Sequence, residues 1–265
     1  SGSHGGGAES MGELFRPKLL WTTFLLWPIW FVQSYVYYGL IYVLPYVFER
    51  ENSQDAEHLD MIVSALAELP GAVVILLLID HPRVGRKRLM WGAMLGATAS
   101  LLVCSWVSVD NVQTFSALTF VSKFFISISF DVVFPYTCEV YPTDARSTGM
   151  GFGSGVSRLG GISTPLASEA LYDSSPNWPF RAFAIVSLVG ACAAAMLPIS
   201  TVGKDLVDTY EEIDVDDPPF EFLTPRPEDE EADRIRQAEK RRLLDADGGA
   251  AGADAGADAH SVAES

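Results

Sequence analysis

Between residues 19 and 200, six mostly apolar stretches alternate with short polar segments. They run from about Leu19 to Val47, Met61 to Ile79, Leu89 to Val109, Val112 to Cys138, Gly149 to Leu171 and Phe180 to Ile199. A hydrocarbon core about 30 Å thick needs roughly 20 mostly apolar residues per helix, and each stretch meets that length. Runs such as Ala72-Val73-Val74-Ile75-Leu76-Leu77-Leu78-Ile79 are apolar all round. A helix resting on a water-soluble core would keep a polar face at the helical period. The pattern therefore predicts an all-α membrane protein with six transmembrane helices.

The polar segments set the expected orientation. Arg83, Arg86, Lys87 and Arg88 lie between spans two and three, Arg146 between spans four and five, Arg16 and Lys18 before span one, and Lys204 after span six. The opposite loops carry Glu49, Glu51, Asp55, Glu57, Asp60, Asp110 and Asp173, with Arg50 and Arg181 as exceptions. Positive loops stay inside, so both ends of the chain are expected in the cytoplasm.

Charge changes the picture only beyond the last span. Residues 201–265 hold 19 Asp+Glu against 7 Lys+Arg, a net −12 of the chain's −16. That tail has too few apolar residues to build a core and is expected to be acidic and largely disordered. Residues 228–244 are a candidate charged helix within it, and residues 245–265 are Ala/Gly/Asp low complexity. No basic face is available for phosphates, which argues against nucleic acid as a partner. Residues 1–18 open on Ser1-Gly2-Ser3-His4-Gly5-Gly6-Gly7, the composition of a flexible cytoplasmic linker, and the chain reads as a fragment of something longer.

Candidate chemistry lies within the spans. Cys104, Cys138 and Cys192 each sit in an apolar stretch without a metal-ligand or redox spacing. No nucleophile–His–acid set occurs, so neither an enzyme, a cofactor nor a metal site is expected. Charges inside a bilayer are costly and usually face a cavity or a partner. At about 1.5 Å per residue, Glu68 lies roughly 18 Å from the inner edge, Asp131 roughly 12 Å and Arg158 roughly 18 Å. Such depths are where carriers place substrate and coupling sites. The competing reading is a structural pair, for example Asp131 with Arg158, that only fixes helix packing. Glu68 is followed by an expected break at Pro70-Gly71, and Lys123, further out, is expected to snorkel. A second set, Asp80, Arg83, Gly85, Arg86 and Lys87 with Glu139, Pro142, Thr143 and Arg146, lies at the inner edge. Opposite charges there can pair across helices and part when the helices rock, as a cytoplasmic gate requires. Positive charge that merely marks topology is the alternative. The run Gly149-Met150-Gly151-Phe152-Gly153-Ser154-Gly155 contains a small-xxx-small spacing, which signals close helix approach.

These residues resemble a known family. Leu66-Ala67-Glu68-Leu69-Pro70-Gly71 with Ile79-Asp80 and Arg83-Val84-Gly85-Arg86-Lys87 is similar to the second-half copy of the Asp-Arg-x-Gly-Arg-Lys loop of major facilitator transporters. Glu139-Val140-Tyr141-Pro142-Thr143-Asp144-Ala145-Arg146-Ser147-Thr148-Gly149 resembles that family's Glu-x-Tyr-Pro-Thr-x-x-Arg-x-x-Gly motif. Ser157-Arg158-Leu159-Gly160-Gly161-Ile162-Ser163-Thr164-Pro165, with Leu14-Phe15-Arg16-Pro17, Trp21-Thr22-Thr23 and Tyr37-Tyr38-Gly39-Leu40, is similar to the synaptic-vesicle-two-related and organic ion transporter branch. The resemblance covers about residues 12–203. It implies one half, the C-terminal six helices, of a twelve-helix carrier that moves a small organic solute by alternating access. Tyr38 joins Asp131, Arg158 and Glu68 as a candidate substrate or coupling residue. Arg158 stands where organic anion carriers have Arg and cation carriers Asp, which favours an anion. Asp131 stands where cation carriers have Glu, which pulls toward cations and also admits proton coupling. The implied partners are the solute, protons, the bilayer, and either the missing N-terminal six-helix half or a second copy of the chain. The other functional reading is a half-length, non-transporting membrane protein that binds or regulates a partner. The chain departs from the family in the insertion of His81-Pro82 between Asp80 and Arg83, which puts the gate geometry in question.

Overall fold

A computed structural model describes residues 7–48, 62, 65–81, 84–107 and 112–199. The acidic tail, and the candidate helix at 228–244 within it, lie outside the described residues. Seven helices are present among the described residues: α1 Gly7–Leu14, α2 Pro17–Phe48, α3 Glu68–Leu78, α4 Gly85–Cys104, α5 Val112–Val140, α6 Thr143–Tyr172 and α7 Trp178–Ala195. The stretch read as a linker thus contains a short helix, α1. The other six fall on the six apolar stretches.

Three of them, α2, α5 and α7, are long and apolar enough to cross a membrane by length and composition, and α3 is a shorter apolar helix. The two remaining helices fall short for chemical reasons. α4 starts at Gly85, upstream of the expected Leu89, and so takes in Arg86, Lys87 and Arg88. α6 is rich in Gly, Ser and Thr.

α6 shows why low hydropathy does not mean exposure to water. Its buried positions are Ala145, Gly149, Gly153, Ser157, Gly160, Thr164 and Ser168, a stripe of small residues at helical spacing. This face lies along α2. At Gly160 the two backbones nearly touch, and an added Cβ would lie 2.5 Å from the Phe31 carbonyl oxygen. The Thr164 hydroxyl donates to the Tyr35 carbonyl at 3.1 Å. Small residues permit such approach, and in lipid the resulting van der Waals packing and interhelical hydrogen bonds hold helices together. Gly151 and Gly155, on the other side, would meet nothing within 4 Å if substituted.

α2 is the central element, packing on α5, α6 and α7, while α4 packs on α5 and α7. The core between them is apolar and aromatic, with Trp30, Phe115, Tyr136, Phe180 and Phe183 fully buried. Several polar groups inside it are paired across helices. Trp30 Nε1 donates to Thr137 Oγ1 at 3.2 Å, Gln33 Nε2 to Ser129 Oγ at 2.8 Å, and Ser122 Oγ to Ser100 Oγ at 2.9 Å. α3 rests chiefly on α5, where Gly71 faces Ser127 and Ile128. Its outer face, with Leu69, Val73, Leu76 and Leu77, is exposed.

The expected break at Pro70-Gly71 is not there. A turn at Ala67 interrupts the helix three residues earlier, and α3 then runs through Pro70. Proline in the first turn of a helix removes an N–H that has no intrahelical acceptor, so it starts α3 rather than breaking it.

Candidate functional site

Three residues of the second charged set, Asp80, Arg86 and Glu139, come together around one guanidinium. Gly85 has φ of 62°, a left-handed conformation that glycine adopts without a Cβ clash, and it turns the chain into α4. The next residue, Arg86, then reaches two acids with the same nitrogen. Its Nη2 lies 2.9 Å from Asp80 Oδ1 and 2.9 Å from Glu139 Oε1. The loop after α3, the start of α4 and the end of α5 are thereby tied. Asp80 makes this contact despite the His81-Pro82 insertion. Arg83 lies outside the described residues. Arg146 reaches back across the corner from the start of α6. Its Nε donates to the Cys138 carbonyl at 2.7 Å, which clamps the start of α6 onto the end of α5. The Arg86–Glu139 pair is single-pronged, with Arg86 Nε and Glu139 Oε2 buried and without hydrogen-bond partners.

A second cluster forms deeper in the bundle. Tyr37 on α2 donates its hydroxyl to Glu68 Oε1 at 2.7 Å. Lys123 Nζ on α5 lies 3.3 Å from the same oxygen and 5.7 Å above the Tyr37 ring. The expectation that Lys123 snorkels is therefore corrected. Its side chain is 7% exposed and its charge is met by Glu68, so it has no need to reach an interface. Asp131 lies within electrostatic reach of Glu68 and Tyr37.

Asp131 and Arg158 are both exposed, and no ion pair joins them among the described residues. The expected Asp131–Arg158 pair is not formed. The reason lies in the packing: α6 turns its small-residue stripe to α2 and α5 packs mainly on α4, so α5 and α6 meet little. Each charge is left on an open side of its helix.

An aromatic ladder flanks Asp131. Tyr38 meets Tyr37 edge-on at 5.4 Å, Tyr37 stacks on Phe130 at 5.6 Å, and Phe130 meets Phe134 edge-on at 5.6 Å. Phe134 reaches Trp30 at 4.7 Å. Tyr38 and Phe134 are partly open, at 48% and 39% exposed. An apolar wall with a few placed charges is the usual lining of a small-molecule site. Sequence reasoning missed Tyr37, Phe130 and Phe134. The i, i+4 spacing of Phe130 and Phe134 around Asp131 was an available signal, whereas Tyr37 and Tyr38 cannot be told apart without knowing which way α2 faces. Among the described residues no His/Cys/Asp/Glu group could hold a metal ion.

A charged motif loop, a charge cluster inside the bundle and apolar helices, one of them lined with small residues, are the features of a helical membrane protein. The family model for the Major Facilitator Superfamily matches residues 26–242. The chain belongs to that superfamily, and is a multi-pass integral membrane protein of a family of transporters rather than enzymes. It is similar to Synaptic vesicle 2-related protein of Pongo abelii, 33% identical over 221 residues, which covers 75% of this chain and 39% of the relative. It is also similar to Organic cation/carnitine transporter 7 of Arabidopsis thaliana, 32% identical over 212 residues, covering 76% and 42%. Solute carrier family 22 member 6 of Bos taurus is 32% identical over 203 residues, covering 76% and 35%. The chain thus spans about two-fifths of the length of these relatives.

Proposed function

We propose that this chain is the C-terminal six-helix half of a twelve-helix secondary carrier, with both of its ends cytoplasmic, and that it moves a small organic solute by alternating access. The observation that carries the reading is the open placement of Asp131 and Arg158. Two opposite charges within apolar spans, both exposed and not joined to each other, are costly unless water or a ligand meets them. Glu68 is already compensated by Lys123 and Tyr37, so it holds α3 in place. Asp131 and Arg158 are the groups left for cargo. Arg158 suits a carboxylate or another planar anion, which its fork can grip with two parallel hydrogen bonds. Asp131 suits a proton that enters with the solute.

The Arg86–Glu139 pair and the Arg146 clamp serve as the inner gate in this reading. A single-pronged pair is weaker than a bidentate one, which suits a contact that breaks and reforms in each cycle.

The test uses the full-length carrier in reconstituted vesicles. Arg158→Lys keeps the charge but loses the fork, and should raise the KM for organic anions several-fold while insertion stays normal. Asp131→Asn should flatten the pH dependence of uptake more than it changes affinity. Parental KM and pH profile in both variants would overturn the assignment.

A further inference from the structure

The outward side of α7 is a stripe that changes character once along its length. Phe180, Phe183 and Ala191 turn into the bundle and are buried. The opposite side carries Trp178, Arg181, Ile185, Leu188, Val189 and Met196, all of them exposed. At 3.6 residues per turn these positions fall on one face of the helix. From Ile185 onward that face is apolar, and Arg181, near the start of the helix, is the one charged residue of α7.

Arg181 is not neutralised within the protein. Its guanidinium carbon lies 5.4 Å above the Trp178 ring, and no ion pair involves it among the described residues. A ring face attracts a cation without cancelling its charge, and it leaves the N–H fork to an anion. The start of α7 is also fixed to the end of α4, where Asn177 Nδ2 donates to the Val107 carbonyl at 3.2 Å. Trp106, beside that carbonyl, is 83% exposed. Two exposed indoles and a guanidinium thus gather where α4 ends and α7 begins. Indoles favour the boundary between headgroups and acyl chains, where one edge is wet and the other apolar. Positive charge that marks topology belongs inside, and in the proposed orientation Arg181 lies outside, so topology does not account for it.

We infer that this face of α7 binds one glycerophospholipid of net negative charge, with the phosphate on the Arg181 fork beside Trp178 and an acyl chain along Ile185, Leu188 and Val189. Arg181 to Val189 is eight residues, or about 12 Å of helix rise, close to the hydrocarbon depth of one leaflet. A zwitterionic lipid brings its own cation to the phosphate, which leaves less for Arg181 to meet. A helix of another chain would bury Arg181 in an apolar contact and would need an acid to pair it. An anionic lipid supplies the anion and the apolar chain in one molecule. The leaflet, and not the contact, rests on the proposed orientation.

The test uses the full-length carrier in phosphatidylcholine vesicles that contain phosphatidylglycerol with a photoactivatable diazirine on its acyl chain. Crosslinked peptides are mapped by mass spectrometry. Crosslinks should gather on residues 185–189, and the same diazirine on phosphatidylcholine should label that segment several-fold less. Arg181→Gln should lower the phosphatidylglycerol yield there about fivefold, the effect of one basic residue near an anionic surface. Arg181→Lys should keep part of the yield. Labelling elsewhere in the carrier is the reference and should not change. Equal labelling of residues 185–189 by the two lipids overturns the site, as does a yield unmoved by Arg181→Gln. Absence of crosslinks there also overturns it, the result if a second copy or the remaining helices of the carrier cover this face. A yield that falls everywhere in Arg181→Gln counts against it, since the charge would then attract lipid without seating it. Displacement of the lipid by inorganic phosphate, and not by chloride of equal ionic strength, would assign the fork to a free anion and overturn the lipid. A glycosylation tag placed after Asp173 reads the side of the membrane separately: a cytoplasmic result faults the proposed orientation, and the crosslinks still decide the contact.

Discussion

Lys123 and Glu68 show how a charge survives inside a bundle. Lys123 is buried while Glu68 is 42% exposed, so the pair is asymmetric: the lysine depends on the glutamate more than the reverse. Removing Glu68 should therefore cost more than removing Lys123. Glu68→Gln leaves a buried ammonium without its counter-ion, and stability in detergent should fall by about 1–3 kcal/mol. The double variant Glu68→Gln/Lys123→Met removes both charges and should recover much of that loss. Thermal unfolding of the two variants against the parent measures the difference. Arg146 acts on a backbone carbonyl, that of Cys138. Arg146→Ala in the full-length carrier should leave expression intact and cripple uptake, because the α5–α6 corner loses its clamp. Uptake kinetics equal to the parent would remove Arg146 from the gate.

At the scale of elements, α6 and α3 are held by different means. α6 lies against α2 along a stripe where only small side chains fit, and the contact at Gly160 is with backbone, which cannot move aside as a flexible side chain can. Gly160→Ala should destabilise the bundle by about 1–3 kcal/mol, as overpacking does. Gly155→Ala, on the open side of the same helix, should leave the unfolding midpoint within error of the parent. Equal midpoints for the two variants would mean that the α2–α6 contact is not the close one. α3 has one main neighbour, α5, plus the Glu68 cluster and the Arg86 network near its two ends.

For the whole molecule, the long apolar stretches and the motifs lie within residues 12–203, and the acid-rich residues beyond them have a separate composition. Deleting residues 211–265 should leave membrane insertion and topology unchanged, as read by glycosylation mapping or protease protection. Failure to integrate would show that the tail takes part in assembly. The exposed apolar residues of α3 and α6, among them Leu76, Leu77, Ile162 and Leu166, suit contact with lipid or with further helices.

The chain's own pattern located the apolar helices to within a few residues and picked out the charged motif, because length, hydropathy and motif spacing are local properties. It also determined the family, since a motif such as Glu139 to Gly149 is continuous in sequence. The break within the second apolar stretch was placed three residues late, at Pro70 instead of Ala67, because Pro70 is a breaker or a starter depending on where the turn before it falls. Tertiary structure alone decided which charges meet. Lys123 finds Glu68 because α3 rests on α5. Glu139 finds Arg86 because Gly85 turns α4 toward the end of α5. Asp131 and Arg158 stay apart because α6 spends its close-packing face on α2. An ion pair needs two side chains within about 4 Å, and helix packing, which periodicity does not encode, sets that distance.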